Sequence, residues 1–205
     1  MSARILYVVD PMCSWCYGLA PALDQVRSQL RENVAMDLVM GGLAPDSDEP
    51  MDETTRGYVQ HAWQAVEAQT GVPFNHEFWT QCAPRRSTYP ACRAIVLARE
   101  SGLQWEMLKA IQSAYYLEAR NPSDAATLVE LAVGLGMDQG PFVAGLEAAE
   151  TQQKLAADFA LRRSLDANSF PSIGIVDEHG KRLLCSGYLS EHELTSVFAN
   201  AGLLR

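Results

Sequence analysis

The run Ile5-Leu6-Tyr7-Val8-Val9 is apolar at every position, Asp10-Pro11 breaks it, and Cys13-Ser14-Trp15-Cys16 follows at once. A continuous apolar, β-branched stretch over residues 4–9 predicts a buried strand. Beyond the Asp-Pro turn, Leu19, Leu23, Val26 and Leu30 recur at helical spacing and predict a helix over about residues 13–31. Pro21 lies inside it, removes one backbone hydrogen bond, and is expected to kink the helix between a short reactive turn and a longer body. Residues 34–40 read as a second strand ending at Gly41-Gly42. Strand, helix and strand joined this closely make a right-handed βαβ unit.

The stretch from residue 43 to 165 is helical in pattern and opens with a polar loop over residues 45–50. Tyr58, Val59, Ala62, Trp63 and Val66 line one face of a helix starting near Asp52 and ending at Gly71-Val72-Pro73. Stripes at Leu103, Met107, Leu108, Ile111, Ala114 and Tyr115, and at Leu128, Leu131, Ala132 and Leu135, mark two more. Further helices are expected to start near Pro90, Gly140 and Thr151. Two strands, 172–176 and 182–186, then flank a hairpin turn over 177–180, and a last helix covers about 191–201. The order is therefore βαβ, a long helical block, then ββα. We expect the outer pieces, residues 1–43 and 166–205, to build one α/β domain with a mixed sheet, and residues 44–165 to form an inserted helical domain.

The cysteine pair carries the chemistry. Cys13 falls at or near a helix N-terminus, where free N–H groups and the positive end of the helix dipole favour a thiolate. An ordinary thiol with a pKa of about 8.5 is only slightly ionised at neutral pH, so a depressed value makes Cys13 a nucleophile. The spacing brings Cys16 within reach of Cys13 and sets it deeper, so the pair can cycle between dithiol and disulfide. Half of a zinc site or an inert pair are the alternatives. Zinc would need two more ligands, and the sequence has no second CxxC and no close Cys/His pair, so no metal is expected. The remaining cysteines, Cys82, Cys92 and Cys185, read as reduced, small buried hydrophobes.

A net charge of −9, without runs of Lys or Arg, argues against nucleic acid or an anionic membrane surface as partner. No segment approaches the length of a membrane span, and nothing ahead of the first strand has the pattern of a secretory signal, so the cytoplasm is the expected compartment. The scattered His61, His76, His179 and His192 read as solvated or satisfied. Trp63, Trp79, Trp105, Tyr115 and Tyr116 read as core rather than groove. Trp15, on a helix-start loop, is harder to bury and is expected to contact substrate or shield Cys13. Asp10 could take protons from Cys16 or simply form the turn before Pro11.

Phe170-Pro171 directly precedes the strand at 172, where proline fits at the first position. In a βαβ–ββα arrangement it lies beside the Cys13 turn, and a cis bond would aim the Phe170 N–H and C=O at an extended substrate. The residues alone favour trans.

Asp10-Pro11-Met12-Cys13-Ser14-Trp15-Cys16-Tyr17-Gly18, the helical insertion and Phe170-Pro171-Ser172 together resemble the DsbA-like family of the thioredoxin superfamily, in particular its signal-less, FrnE-like and predicted disulfide-isomerase branch. The resemblance spans nearly the whole chain. It implies a thioredoxin-like fold, Cys13 as nucleophile, Cys16 as resolving thiol, a redox-active Cys13–Cys16 disulfide, Ser14-Trp15 as the dipeptide that tunes the potential, and Pro171 as a cis-proline beside Phe170. Ser-Trp replaces the Pro-His of periplasmic DsbA, which argues against a strong oxidant. A potential near −120 mV would lie roughly 100 mV above a cytosolic glutathione poise, about 4.6 kcal/mol in favour of the dithiol, so the pair is expected to rest reduced. The implied function is a disulfide reductase or isomerase acting on polypeptide or glutathione mixed disulfides, as monomer or homodimer, with no bound cofactor other than glutathione as a candidate.

The same branch resembles kappa-class glutathione transferases and 2-hydroxychromene-2-carboxylate isomerases, which usually carry Ser where this chain has Cys13. A glutathione-dependent isomerase or transferase is the alternative, and Arg85-Arg86-Ser87-Thr88 resembles the region those relatives use near glutathione, though alone it reads as a solvated loop and helix start. A redox-sensing module whose helical part recognises a partner is a third reading.

Overall fold

The computed structural model describes residues 3–205, which hold four strands and nine helices. β1 (Arg4–Val9), α1 (Ser14–Ser28) and β2 (Ala35–Met40) open the chain. Seven helices follow: α2 (Glu53–Thr70), α3 (Phe78–Gln81), α4 (Tyr89–Glu100), α5 (Gln104–Tyr116), α6 (Ala125–Gly134), α7 (Gln139–Glu147) and α8 (Ala149–Ser164). β3 (Ser172–Asp177), β4 (Gly180–Ser186) and α9 (Glu191–Asn200) close it. The sheet order is β2-β1-β3-β4, with β1 parallel to β2 and antiparallel to β3, and β3 antiparallel to β4. This is the mixed sheet of a thioredoxin-like fold carrying a helical insertion.

β1 is central, which explains its unbroken apolar sequence: Ile5, Tyr7 and Val9 face one layer, Leu6 and Val8 the other. The first layer joins Leu19, Leu23 and Val26 of α1 to Leu194 and Phe198 of α9, and continues without a break into the helical insertion. The second is smaller and is closed by Val39, Leu165 and Ala167. A partly buried ion pair lies beside it: the Asp158 carboxylate of α8 accepts from Arg99 of α4 at 2.7 Å and from the Met40 N–H of β2 at 2.9 Å.

Local chemistry sets the element ends. Asp52 caps α2 by accepting from the Thr55 N–H at 2.8 Å, and Gly71 stops it at φ 73°. Ser190 and Glu193 form a capping box on α9.

Two expectations need correction. α1 ends at Ser28 rather than 31, because Leu30, in phase with the helical stripe, instead pairs with Leu204 as a β-bridge. The second strand of the hairpin begins at Gly180, not 182, because Asp177 pairs with Gly180 and only Glu178 and His179 form the turn. The four-residue α3 was not anticipated, being shorter than any periodicity can show. Among the described residues no helix is long and apolar enough to cross a membrane.

Candidate active site

Asp10 ends β1 and its carbonyl accepts from the Cys13 N–H at 3.1 Å, which turns the chain into α1. Cys13 is the N-cap, with extended φ −83° and ψ 115°, and Cys16 lies in the first turn. Both thiols are free and both are buried, Cys16 completely and Cys13 to 8% exposure. The Cys16 S–H donates toward the Cys13 sulfur, and this contact holds the Cys13 thiol below the ordinary range. Burial opposes it, while the backbone N–H groups of Cys16 and Trp15 at the open helix end reinforce it. Burial, followed by the hydrogen bond and the charge of Cys13, pushes the Cys16 thiol well up. One thiol is thus made acidic at the expense of its neighbour.

The Phe170–Pro171 peptide is cis, and the Phe170 carbonyl accepts from Cys13 Sγ at 3.8 Å. Hydrogen bonds from Gly187 N–H to the Pro171 carbonyl at 2.7 Å and from the Ser172 hydroxyl to the Ser169 carbonyl at 2.7 Å brace this loop. Cys13 opens into a groove of about 310 Å³ between the α1 start and the insertion, walled by Trp15, Tyr58, Val59, Arg86, Ser169 and Phe170. Tyr58 is 69% exposed on the rim. Trp15 leans on Tyr188 with ring centroids 5.7 Å apart, so the indole stands half-buried beside Cys13. Ser14, the first residue of α1, is buried and lines the same groove.

Asp10 is fully buried beneath this turn. Its Oδ1 accepts from Met12 N–H at 2.9 Å, and its Oδ2 from Leu43 N–H at 2.6 Å and the Thr88 hydroxyl at 2.7 Å, with Cys92 Sγ at 3.8 Å. Burial raises its pKa against the pull of these donors. It therefore ties the end of β1 to the loop after β2 and to the start of α4. None of the hydrogen bonds of its carboxylate goes to Cys16 among the described residues; the Asp10 backbone bonds to the Cys16 thiol, and the Asp10 charge raises both cysteines.

The structure brings Asp10, Cys13, Ser14, Trp15, Cys16, Phe170 and Pro171 to one place. Leu43, Thr88 and Cys92 were not singled out as partners of Asp10, nor Tyr58 and Tyr188 as rim residues; only the threonine just ahead of the α4 start hinted at a hydroxyl free for other work. Trp63, Trp79, Tyr115 and Tyr116 form a buried aromatic cluster rather than a groove wall. Cys92 is fully buried, while Cys82 and Cys185 are only partly so.

A thioredoxin-like sheet with a Cys-X-X-Cys at the N-terminus of its first helix defines a thiol oxidoreductase class. Residues 4–198 match the DSBA-like thioredoxin domain family, and the chain belongs to it. Among solved structures it is similar to a candidate protein disulfide isomerase from Nitrosomonas europaea, at 27% identity and TM-score 0.86, covering 98% of this chain and 97% of that one. It is also similar to the cytosolic disulfide reductase DsbM from Pseudomonas aeruginosa, at 23% identity and TM-score 0.77 over 97% of each chain. A 2-hydroxychromene-2-carboxylate isomerase shares the fold at 10% identity and TM-score 0.67, over 97% of this chain and 94% of that one. The ClpXP adapter protein SpxH of Bacillus subtilis is 21% identical over 175 residues, 83% of this chain, and this chain spans 57% of that relative's length.

Proposed function

We propose that the protein is a disulfide reductase or isomerase that acts through Cys13 and Cys16 on disulfides of polypeptides or of glutathione, in the cytoplasm. The observation that carries this reading is the asymmetry of the pair: an N-cap thiol held acidic and open to a groove, and a second thiol one turn in, buried and held protonated.

The Cys13 thiolate attacks one sulfur of the substrate disulfide, forms a mixed disulfide and expels the other sulfur as a thiolate. Cys16, once deprotonated, attacks Cys13 Sγ, closes the Cys13–Cys16 disulfide and releases the second substrate thiolate. The substrate gains two electrons, the pair loses two, and an external thiol returns them. If a substrate thiol attacks the mixed disulfide first, the substrate is rearranged with no net redox change. The Phe170 backbone, facing Cys13 across the groove, would pair with an extended chain on either side of the disulfide.

Arg86 supports glutathione as one partner. It lines the groove beside Cys13, and its guanidinium has no hydrogen bond or ion pair among the described residues. A carboxylate on the substrate would give it one. DsbM, whose fold this chain shares, has also been solved with GSH.

Reaction with oxidised glutathione tests the reading. The wild type should consume it and form the intramolecular disulfide, Cys13→Ser should be inert, and Cys16→Ser should stop at a stable mixed disulfide. Full activity in Cys13→Ser would overturn it. Turnover of a small aromatic by Cys16→Ser, with no mixed disulfide, would assign the glutathione-dependent isomerase or transferase reaction instead.

A further inference from the structure

The resolving step requires Cys16, with none of its surface exposed, to give up a proton. The nearby carboxylate of Asp10 is committed to two backbone N–H groups and the Thr88 hydroxyl. A separate cavity of about 20 Å³ touches Cys16 between α1 and α5 and is lined by Tyr7, Asp24, Trp105, Lys109 and Gln112. That is room for one water, which needs roughly 10–15 Å³ and a few polar partners.

Tyr7 stands at the inner end, 1% exposed, its hydroxyl donating to the Cys16 carbonyl at 3.4 Å. The hydroxyl is also within hydrogen-bond reach of the Cys16 thiol. Trp105 stacks on the Tyr7 ring at 6.2 Å and nearly parallel, and the Arg27 guanidinium lies 3.6 Å from the centre of the Trp105 ring, which roofs the phenol. At the outer end the Asp24 carboxylate is 45% exposed and accepts from Lys109 Nζ at 2.7 Å. The cavity therefore connects the buried thiol to a solvated carboxylate through a hydroxyl that can accept a proton on one side and donate one on the other.

We propose that Tyr7 and Asp24 form the proton exit of Cys16. As Cys16 reacts, the Tyr7 hydroxyl turns from the Cys16 carbonyl to a water in the cavity, the Cys16 S–H proton passes to the Tyr7 oxygen while the Tyr7 O–H proton passes to that water, and Asp24 accepts a proton from the water and releases it to solvent. Tyr7 ends neutral, as it began. The lone pair left on Cys16 Sγ makes the Cys16–Cys13 bond while the bond from Cys13 to the substrate sulfur breaks and its electron pair leaves with the substrate. Reduction of the disulfide runs the same path inward. The proposal rests on the dithiol reading above. The titratable and charged groups facing Cys16 are Tyr7 on β1, Asp10 in the turn, Cys13 and Asp24 on α1, and Lys109 and Tyr116 on α5.

Ellman's reagent separates the steps: attack by Cys13 releases one chromophore, and displacement by Cys16 releases a second. In Tyr7→Phe the second release should slow about tenfold near neutral pH and its pH profile should move up, while the first release keeps its rate; general acid–base groups contribute on this scale or more. Asp24→Asn, a surface change, should shift the same step in the same direction by about threefold, and both variants should converge on wild type at high pH. Unchanged second-step rates and profiles in both would overturn the relay. Slowing in Asp10→Asn but in neither of them would overturn it in favour of Asp10. Absence of any second release in the wild type would instead defeat the dithiol reading itself.

Discussion

Gly41, just past the end of β2, lies against the ring of Phe170: a Cβ on Gly41 would come within 2.7 Å of the Phe170 ring. Phe170 is the residue whose carbonyl faces Cys13 at 3.8 Å. The close approach of backbone to ring thus sets where one wall of the groove stands.

Gly41→Ala should push the Phe170 ring and, with it, the loop bearing the carbonyl. Overpacking of this kind costs about 1–3 kcal/mol, read from urea unfolding. The functional consequence is sharper than the loss of stability: turnover of a peptide disulfide should fall, while alkylation of Cys13 by iodoacetamide should hardly change. Equal loss of both would mean that Phe170 does not position substrate.

Asp10→Ala should cost about 3 kcal/mol, because the N–H groups of Met12 and Leu43 and the Thr88 hydroxyl lose a buried acceptor, each worth about 1–3 kcal/mol if left unpaired. Burial raises the Asp10 pKa in the fold, so the native state holds that proton more tightly than the unfolded chain. The sign follows: this group's contribution is complete below the unfolded value of about 3.9 and is lost as pH rises through the folded one. Asp10→Asn should therefore flatten the fall of stability with rising pH over that window, measured by unfolding at a series of pH values.

The contact from the Cys16 S–H should be visible in the acidity of Cys13. Iodoacetamide alkylation of wild type should have its midpoint below the ordinary thiol value of about 8.5. Cys16→Ala removes the donor and should raise that midpoint toward the ordinary thiol value, since the hydrogen bond favours the ionised form of Cys13. Cys16→Ser keeps a donor and should restore most of the shift. Because the folded value is depressed, the stability gained from Cys13 ionisation is present above about pH 8.5 and lost as pH falls through the folded value.

Asp158→Ala should destabilise the protein by about 3 kcal/mol. It removes the carboxylate from Arg99, whose side chain is 32% exposed and keeps the Leu38 carbonyl as an acceptor, and it removes the acceptor of the buried Met40 N–H. Because the pair joins α4 and α8 to β2 and makes no hydrogen bond to the Cys13 turn among the described residues, thiol reactivity of the folded variant should be unaltered in an alkylation assay.

Much of this arrangement was legible in the chain. The apolar run from Ile5 to Val9 marked β1 as a buried strand, and the Asp10-Pro11 break placed Cys13 at a helix start. The partners of Asp10 were not legible, because Leu43, Thr88 and Cys92 are 33, 78 and 82 positions away, and Leu43 meets it only once β2 pairs with β1, Thr88 and Cys92 only once the start of α4 packs against the turn. Leu30 illustrates the opposite failure: its helical phase was genuine, but pairing with Leu204 at the far end of the chain decided its conformation. Tyr7 read simply as one more residue of a buried strand, and its hydroxyl gained meaning only from the cavity beside Cys16.

The most direct test is an equilibrium titration of the reduced protein in glutathione buffers of graded ratio, in a background with Cys82, Cys92 and Cys185 changed to Ala, read by intact mass after acid quench. The account predicts reversible conversion of Cys13 and Cys16 to one intramolecular disulfide at a defined two-electron potential. A protein that stays fully reduced, or stops at a stable glutathione adduct with Cys16 unchanged, would contradict it.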